Sequence, residues 1–301
     1  MKKLQREIEY ILLRIVGALL CLLPLSVVRF MARAIGSFAY YCVPIRKKVI
    51  LTNLRNAFLK EKSEKEIHAI AKANYRQFAT TFMELAYLPK INRRELLNIT
   101  RFKGLEHIAK AISEGNGAVL VGAHFCNWEI MGAALAQKYP LTFVIGQQEN
   151  SKVDSLLNEY RAEKGLKLIP LKFALRGVMK TLKANELIAI LADQDAHEDG
   201  AFVKFFNRPA STPKGPAVFA LRQGCPMIAC HIFRAQDGKF DVEFEVVPKP
   251  QEQNNNDDLI GAYMANFTKI LEKNTRKAPD HWFWMHKRWK TKPQLGIKIY
   301  N

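Results

Sequence analysis

The chain has 301 residues, the length of about two average domains or of one large α/β domain with an appendage, and enough core to fold without disulfide staples. Hydrophobic residues make up 49% and charged residues 25%, which excludes wholesale disorder. With 46 basic against 28 acidic residues the net charge is +18, so an anionic partner is expected: nucleic acid, phospholipid headgroups, or an acidic protein or substrate.

The charge is concentrated at the ends. Residues 1–50 hold nine Lys/Arg against two Glu, and residues 273–301 hold eight against one Asp, leaving the middle close to neutral. Five cysteines (Cys21, Cys42, Cys126, Cys225, Cys230) are odd in number and form no Cys-x-x-Cys. They read as reduced, buried thiols in a reducing compartment, without structural zinc.

From Tyr10 to Val28 nineteen residues carry one charge, Arg14, and a second run from Phe30 to Ile45 is broken only by Arg33. A bilayer core needs about 20 apolar residues in a helix, so the first run is just long enough, with Arg14 and Pro24 against it. The expectation is a spanning helix or deep membrane anchor over residues 1–48. An interfacial helix and a soluble helix pair are the alternatives. No small-x-small cleavage site follows the run, which disfavours a signal peptide. The side after the run carries Arg29, Arg33, Arg46, Lys47 and Lys48, and the more basic side stays cytoplasmic. The main domain, 49–301, is therefore expected to face the cytoplasm. Basic charge on both flanks leaves a monotopic arrangement open.

Beyond the anchor, Ser63-Glu64-Lys65-Glu66 is a capping box opening a helix to about Leu88. From Gly117 short apolar strands alternate with amphipathic helices: GAVLVGAH, LTFVIG, LKLIPL and ELIAILAD as strands, with helices between them. This pattern predicts an α/β fold with a mostly parallel central sheet. A loop is expected at 195–211, then a helix over GPAVFALRQG. MIACHIF and KFDVEFEVV follow as an antiparallel edge pair, and 257–275 as a helix. Gln251 to Asp258 reads as a surface loop, and the chain ends in an aromatic-basic tail.

The stretch that carries chemistry is Gly122-Ala123-His124-Phe125-Cys126-Asn127-Trp128-Glu129. His124 falls just past the carboxyl end of a buried strand, where open α/β sheets place their ligands. Asn127 can cap the next helix and Glu129 lies in its first turn, so the Glu129 carboxylate is expected within hydrogen-bonding reach of the imidazole. A carboxylate on one ring nitrogen leaves the other free to take a proton from a hydroxyl. Gly-x-Ser-x-Gly is absent, so direct transfer to an acceptor alcohol fits better than a covalent acyl-enzyme. Cys126, inside the turn, reads as packing.

His124-x-x-x-x-Glu129, with Trp128 before the acid, resembles the His-x4-Asp/Glu motif of lysophospholipid-type acyltransferases. The Asn127-Trp128-Glu129 variant is similar to the bacterial lipid A late (lauroyl/myristoyl) acyltransferases. Asn53-Leu54-x-x-Ala57-Phe58, Asp193-Gln194, Phe205-Phe206, Thr212-Pro213-x-Gly215 and the tail Trp282 to Lys290 match that pattern in order. The resemblance covers roughly residues 10–290. It implies a membrane-attached enzyme transferring an acyl chain from acyl carrier protein to a hydroxyl of a Kdo-bearing lipid A precursor, without cofactor or metal, at the cytoplasmic face of a bacterial inner membrane. It makes His124 the base and Glu129 its partner. Arg161, Asn127, Trp128, Asp193, Gln194, Thr212 and Arg288 become substrate-binding candidates. Phe206, Trp282 and Trp284 are read either as lining an acyl slot or as core, and the aromatic-basic tail suits a membrane interface. Ala278-Pro279-Asp280-His281 departs from the His-Pro-Glu-Gln usual in the family. The Phe-Pro-Glu-Gly-Thr block of glycerol-phosphate acyltransferases is missing.

Three rival readings are open. The nearest is an acyl-CoA-dependent phosphatidylinositol mannoside acyltransferase, which shares the His-x4-Glu logic. Asp193, Asp195 and His197 alternate at a strand end and could hold Mg²⁺ or Mn²⁺ in a membrane glycosyltransferase. A binding protein using its basic ends is the third, but no helix-turn-helix, zinc-finger or RNP pattern accompanies the charge, so nucleic acid is not expected.

Overall fold

The computed structural model describes residues 2–43, 45–58, 61–251 and 255–292. Its centre is a seven-stranded sheet in the order β1-β9-β8-β2-β5-β3-β4. Five of these strands run parallel: β2 (Ala118–Gly122), β3 (Leu141–Ile145), β4 (Lys167–Pro170), β5 (Leu187–Leu191) and β8 (Met227–Arg234). The mostly parallel sheet expected from the sequence is therefore present. Every residue of β2 is buried, as a strand covered on both faces must be. β9 (Phe240–Val246) pairs antiparallel with β8 as expected, but it is not the edge. β1 (Thr100–Lys103) lies outside it, parallel to β9. Four residues reading TRFK carry too little apolar pattern to announce a strand.

The helices that flank the sheet are α5 (Arg93–Ile99), α6 (Leu105–Ser113), α7 (Trp128–Ala136), α8 (Ser151–Glu163), α9 (Ala174–Lys183), α10 (Gly215–Gln223) and α11 (Asn256–Lys277). Of the expected loop Gln251 to Asp258, residues 252–254 lie outside the described residues, and α11 takes up its end. The expected loop 195–211 instead folds as a hairpin, β6 (Ala201–Phe205) with β7 (Arg208–Thr212). Its two turn residues, Phe206 (φ 50°) and Asn207 (φ 58°), are both left-handed, which matches the twist of the flanking strands. An aromatic residue rarely adopts that conformation. Here Phe206 is held by Phe58 and Phe205 at ring separations of 5.0 and 4.8 Å, and its backbone N–H donates to Glu272 (2.6 Å).

The helix expected to span a bilayer is not formed. Pro24 is extended (φ −65°, ψ 144°) and caps the next helix. The apolar run Tyr10 to Val28 is thereby split between α1 (Lys2–Cys21) and α2 (Leu25–Cys42). Among the described residues no helix is long and apolar enough to cross a membrane. α2 buries Val28, Ala32, Gly36 and Tyr40, largely against α4 (Glu64–Tyr87), whose capping box at Ser63 forms as read. α3 (Lys47–Phe58) packs beside α4.

Candidate active site

β2 and β5 are parallel neighbours with Gly122 opposite Leu191. His124 and Asp193 each stand two residues past that pair, so equal offsets bring them together at the carboxyl edge of the sheet. His124 Nδ1 lies 2.8 Å from Asp193 Oδ1, and the His124 backbone N–H donates to Oδ2 at 3.0 Å. The Trp282 indole N–H donates to the same Oδ2 at 2.9 Å. Burial alone would push the Asp193 carboxyl up. The imidazole's charge and the hydrogen bonds from His124 and Trp282 outweigh it and hold the acid below its ordinary value. For His124, burial pulls the imidazole down, but the charge and hydrogen bond of Asp193 win and raise it. The charge of Glu129 pushes the same way with the least weight of the named causes.

The hydrogen-bonded carboxylate of His124 is thus Asp193, not Glu129, which corrects the expected pair. Glu129, second residue of α7, turns toward α8, where Arg161 Nε and Nη2 donate to its two oxygens at 3.0 and 2.6 Å. Asn158 accepts from Arg161 Nη1 (2.8 Å), and the Trp128 indole donates to Glu129 at 3.2 Å. A bidentate guanidinium holds a carboxylate in one plane, so Glu129 and Arg161 form a fixed wall beside the imidazole. Trp128 meets the imidazole ring edge-on at 5.0 Å.

These groups line a cavity of 440 Å³. His124, Trp128, Glu129, Arg161 and Gln194 give it a polar head, while Met131, Phe143, Val144, Ile190 and Leu191 make the rest apolar. It adjoins a second hollow of 540 Å³ that shares Ile145, Gly146, Gln147 and Leu171. The two together can accept a ligand with a polar junction, a long apolar arm and a further group outside.

Three sequence candidates fall elsewhere. Asn127 is fully buried: its side-chain oxygen caps α7 at Ile130 N–H (3.0 Å) and its amide donates to Glu84 (2.7 Å). Thr212 and Arg288 are buried together, the guanidinium donating to Thr212 and to the Ser211 carbonyl. All three brace the walls and do not line the cavity. Nor do Asp193, Asp195 and His197 form one cluster, although His197 Nδ1 lies 3.7 Å from Asp195. Asp195 accepts from Thr291 N–H and Oγ1 (3.1 and 2.8 Å) while Asp193 faces His124.

Sequence reasoning missed the part played by the tail. Residues 281–289 thread behind the His124 loop. Cys126 N–H donates to the His281 carbonyl (2.7 Å) and Phe283 N–H to the His124 carbonyl (3.0 Å). Trp282, Trp284 and Trp289 are buried in an aromatic stack with Phe205 and Phe206. They line neither a membrane interface nor the cavity. The loop also hangs on Glu84, a fully buried carboxylate of α4 that receives Arg29 (2.6 Å), both Arg234 nitrogens (2.7 Å each) and Asn127. Helical spacing marked the face of α4, but no sequence signal linked Glu84 to residues 55 and 150 positions away.

Comparison with known proteins bears on this arrangement. The family described as bacterial lipid A biosynthesis acyltransferase matches residues 1–291. The chain belongs to this family. It is an acyltransferase. Among its relatives is the lipid A biosynthesis palmitoleoyltransferase of Escherichia coli (strain K12), 25% identical over 283 residues, covering 92% of this chain and 90% of the relative. The lipid A biosynthesis lauroyltransferase of the same organism is 26% identical, with 90% and 88% covered. A phosphatidylinositol mannoside acyltransferase of Mycobacterium tuberculosis (strain ATCC 25618 / H37Rv) is 27% identical over 230 residues, with 72% and 69% covered. The cavity divides into a polar head, with His124 and the Glu129–Arg161 ion pair, and apolar walls beyond.

Proposed function

We propose that this acyltransferase moves a fatty acyl chain from an acyl carrier protein thioester to a hydroxyl of a Kdo-bearing lipid A precursor. The observation that carries the reading is His124. Its Nδ1 is committed to Asp193, which leaves Nε2 for substrate at the polar head of a cavity whose further walls are apolar. The acceptor hydroxyl gives its proton to Nε2 as its oxygen attacks the thioester carbonyl. The tetrahedral intermediate then expels the thiolate, which recovers the proton from the imidazolium. Asp193 fixes the tautomer and steadies the transient charge. Arg161, held by Glu129, keeps guanidinium N–H groups at the head of the cavity, where the thioester oxygen would become negative and acceptor phosphates would lie.

The protein works at the cytoplasmic face of a bacterial inner membrane, lying on it instead of crossing it. The support is the outward faces of α1 and α2, where Leu12, Leu19, Phe30 and Phe38 stand exposed among many apolar neighbours. Clustered exposed apolar side chains of this kind suit a membrane surface.

The test is mass spectrometry of a Kdo-lipid A precursor incubated with acyl carrier protein thioester and enzyme, with His124→Ala alongside. The expected result is a gain of one acyl chain, absent in the mutant. Its mass gives the chain length. No gain there, but a gain on a mannosylated phosphatidylinositol with acyl-CoA, would move the acceptor to the class named for the mycobacterial relative. A gain undiminished in His124→Ala would remove the base.

A further inference from the structure

A separate cavity, of 430 Å³, opens beside the His124 loop and shares no lining residue with the 440 Å³ cavity. Arg33 of α2 and Arg76 of α4 stand exposed at its rim. Gln77, Thr80 and Arg234 line it further in, and Asp280 and His281 of the tail complete it. The close crossing of α2 over α4 brings the two rim arginines together. A Cβ on Gly36 would come within 2.6 Å of the Arg76 Cα, so only glycine lets the helices approach this far. Arg76 Nε then donates to Ser37 of α2 at 2.6 Å, which fixes one guanidinium at the mouth.

The charge of this cavity is not balanced from within. Arg234 is paired with Glu84, which lies behind the lining and is shared with Arg29. Asp280 is taken up by His281 Nδ1 at 3.1 Å. Arg33 makes no ion pair among the described residues. Of the three guanidiniums that line the cavity, Arg234 is committed to Glu84, so Arg33 and Arg76 stand at the mouth without a carboxylate among the described residues. Planar guanidiniums favour the oxygens of a phosphate group.

The geometry points to a binding site for a phosphate group, supplied by the headgroup of an anionic phospholipid. The lipid source follows from the surroundings. Arg33 shares α2 with the exposed side chains Phe30, Met31, Ile35 and Phe38. A headgroup seated between Arg33 and Arg76 would thus sit beside the same apolar surface that acyl chains would cover. This site is independent of the reaction assigned to His124.

The experiment uses the full chain and two probes. Thermal unfolding is followed with inorganic phosphate replacing chloride at constant ionic strength. Sedimentation is followed with phosphatidylcholine vesicles with and without phosphatidylglycerol. The variants are Arg33→Ser/Arg76→Ser, a charge-matched control Lys180→Ser/Lys183→Ser on α9, and Arg33→Lys/Arg76→Lys. Phosphate should protect the wild type and the control, and protect the serine pair at least tenfold more weakly. Phosphatidylglycerol vesicles should bind the serine pair more weakly than the control. Should the serine pair fail to fold, the lysine pair decides: it keeps the charge, loses the planar fork and should bind phosphate more weakly. Phosphate protection equal in wild type and either arginine variant, or lost equally in the control, overturns the site. Protection lost in the serine pair with vesicle binding equal to the control overturns the lipid source and leaves a soluble phosphate ester as the ligand.

Discussion

His124 shows how two opposing effects decide one side chain's chemistry. Burial disfavours the imidazolium, and Asp193 favours it more strongly, so the imidazole sits above its ordinary value of about 6.5. As the proposed base, His124 must be neutral to take a proton. With a raised folded value, kcat/KM should fall as pH drops through a point above that ordinary value. Asp193→Asn removes the raising charge and leaves burial, so the acid limb should move to lower pH. Turnover should fall by roughly 10²–10⁴ at the optimum, as the imidazolium loses its support. Glu129→Gln should move the limb less, because Glu129 contributes least and is already neutralised by Arg161. A pH–rate profile of the two variants separates the partners. A larger displacement in Glu129→Gln than in Asp193→Asn would refute the pairing.

Between elements the site depends on one carboxylate. Glu84 joins α2 through Arg29, β8 through Arg234 and the cap of α7 through Asn127. Burial would raise its carboxyl, and the two guanidiniums and Asn127 bring it below the ordinary range instead. A lowered folded value gives stability that is full above the unfolded value of about 4.3 and lost as pH falls through the folded one. Glu84→Gln should cost about 3–5 kcal/mol near neutral pH, since it strands buried cations. It should also flatten the acid loss of Tm expected of the wild type. Circular dichroism melts at pH 7 and pH 3.5 check both; an equal Tm at pH 7 would mean the network carries no stability. This hub also shows where reading a sequence stops. The strand-helix alternation, the Ser63 box and the place of His124 at a strand end are local patterns, and they were legible. Asp193 as the partner of His124 required knowing that β5 lies beside β2, which strand order alone decides. The β6–β7 hairpin hid because its turn places Phe206 in a conformation sustained only by tertiary packing. The tail's aromatics looked interfacial because their burial rests on partners far away, such as the Asn74 amide that clasps the Asp280 and Trp282 carbonyls.

At the scale of the molecule the two basic ends differ in kind. Four of the eight C-terminal cations are taken up within the protein: Lys273 pairs with Glu245, Lys277 with Glu243, Arg276 with Glu61 and Glu272, and Arg288 is in the core. The N-terminal end combines charge with exposed apolar surface, so it is the end suited to a membrane. On α1, Ile8, Leu12, Ile15 and Leu19 are about half exposed and recur at helical spacing, which places them on one face. If that face is inserted, binding to anionic vesicles should persist at high salt, where purely electrostatic attachment is screened away. Each side chain fully buried is worth about 1.5–3 kcal/mol, so Ile8→Gln/Leu12→Gln/Ile15→Gln should lower vesicle partitioning by well over tenfold. What binding remains should become salt-sensitive, because only the basic residues would then hold the protein to the surface. Sedimentation with phosphatidylglycerol vesicles across a salt series reads both effects. Complete release of the wild type at high salt would show that charge alone attaches it, and the apolar face of α1 would need another partner.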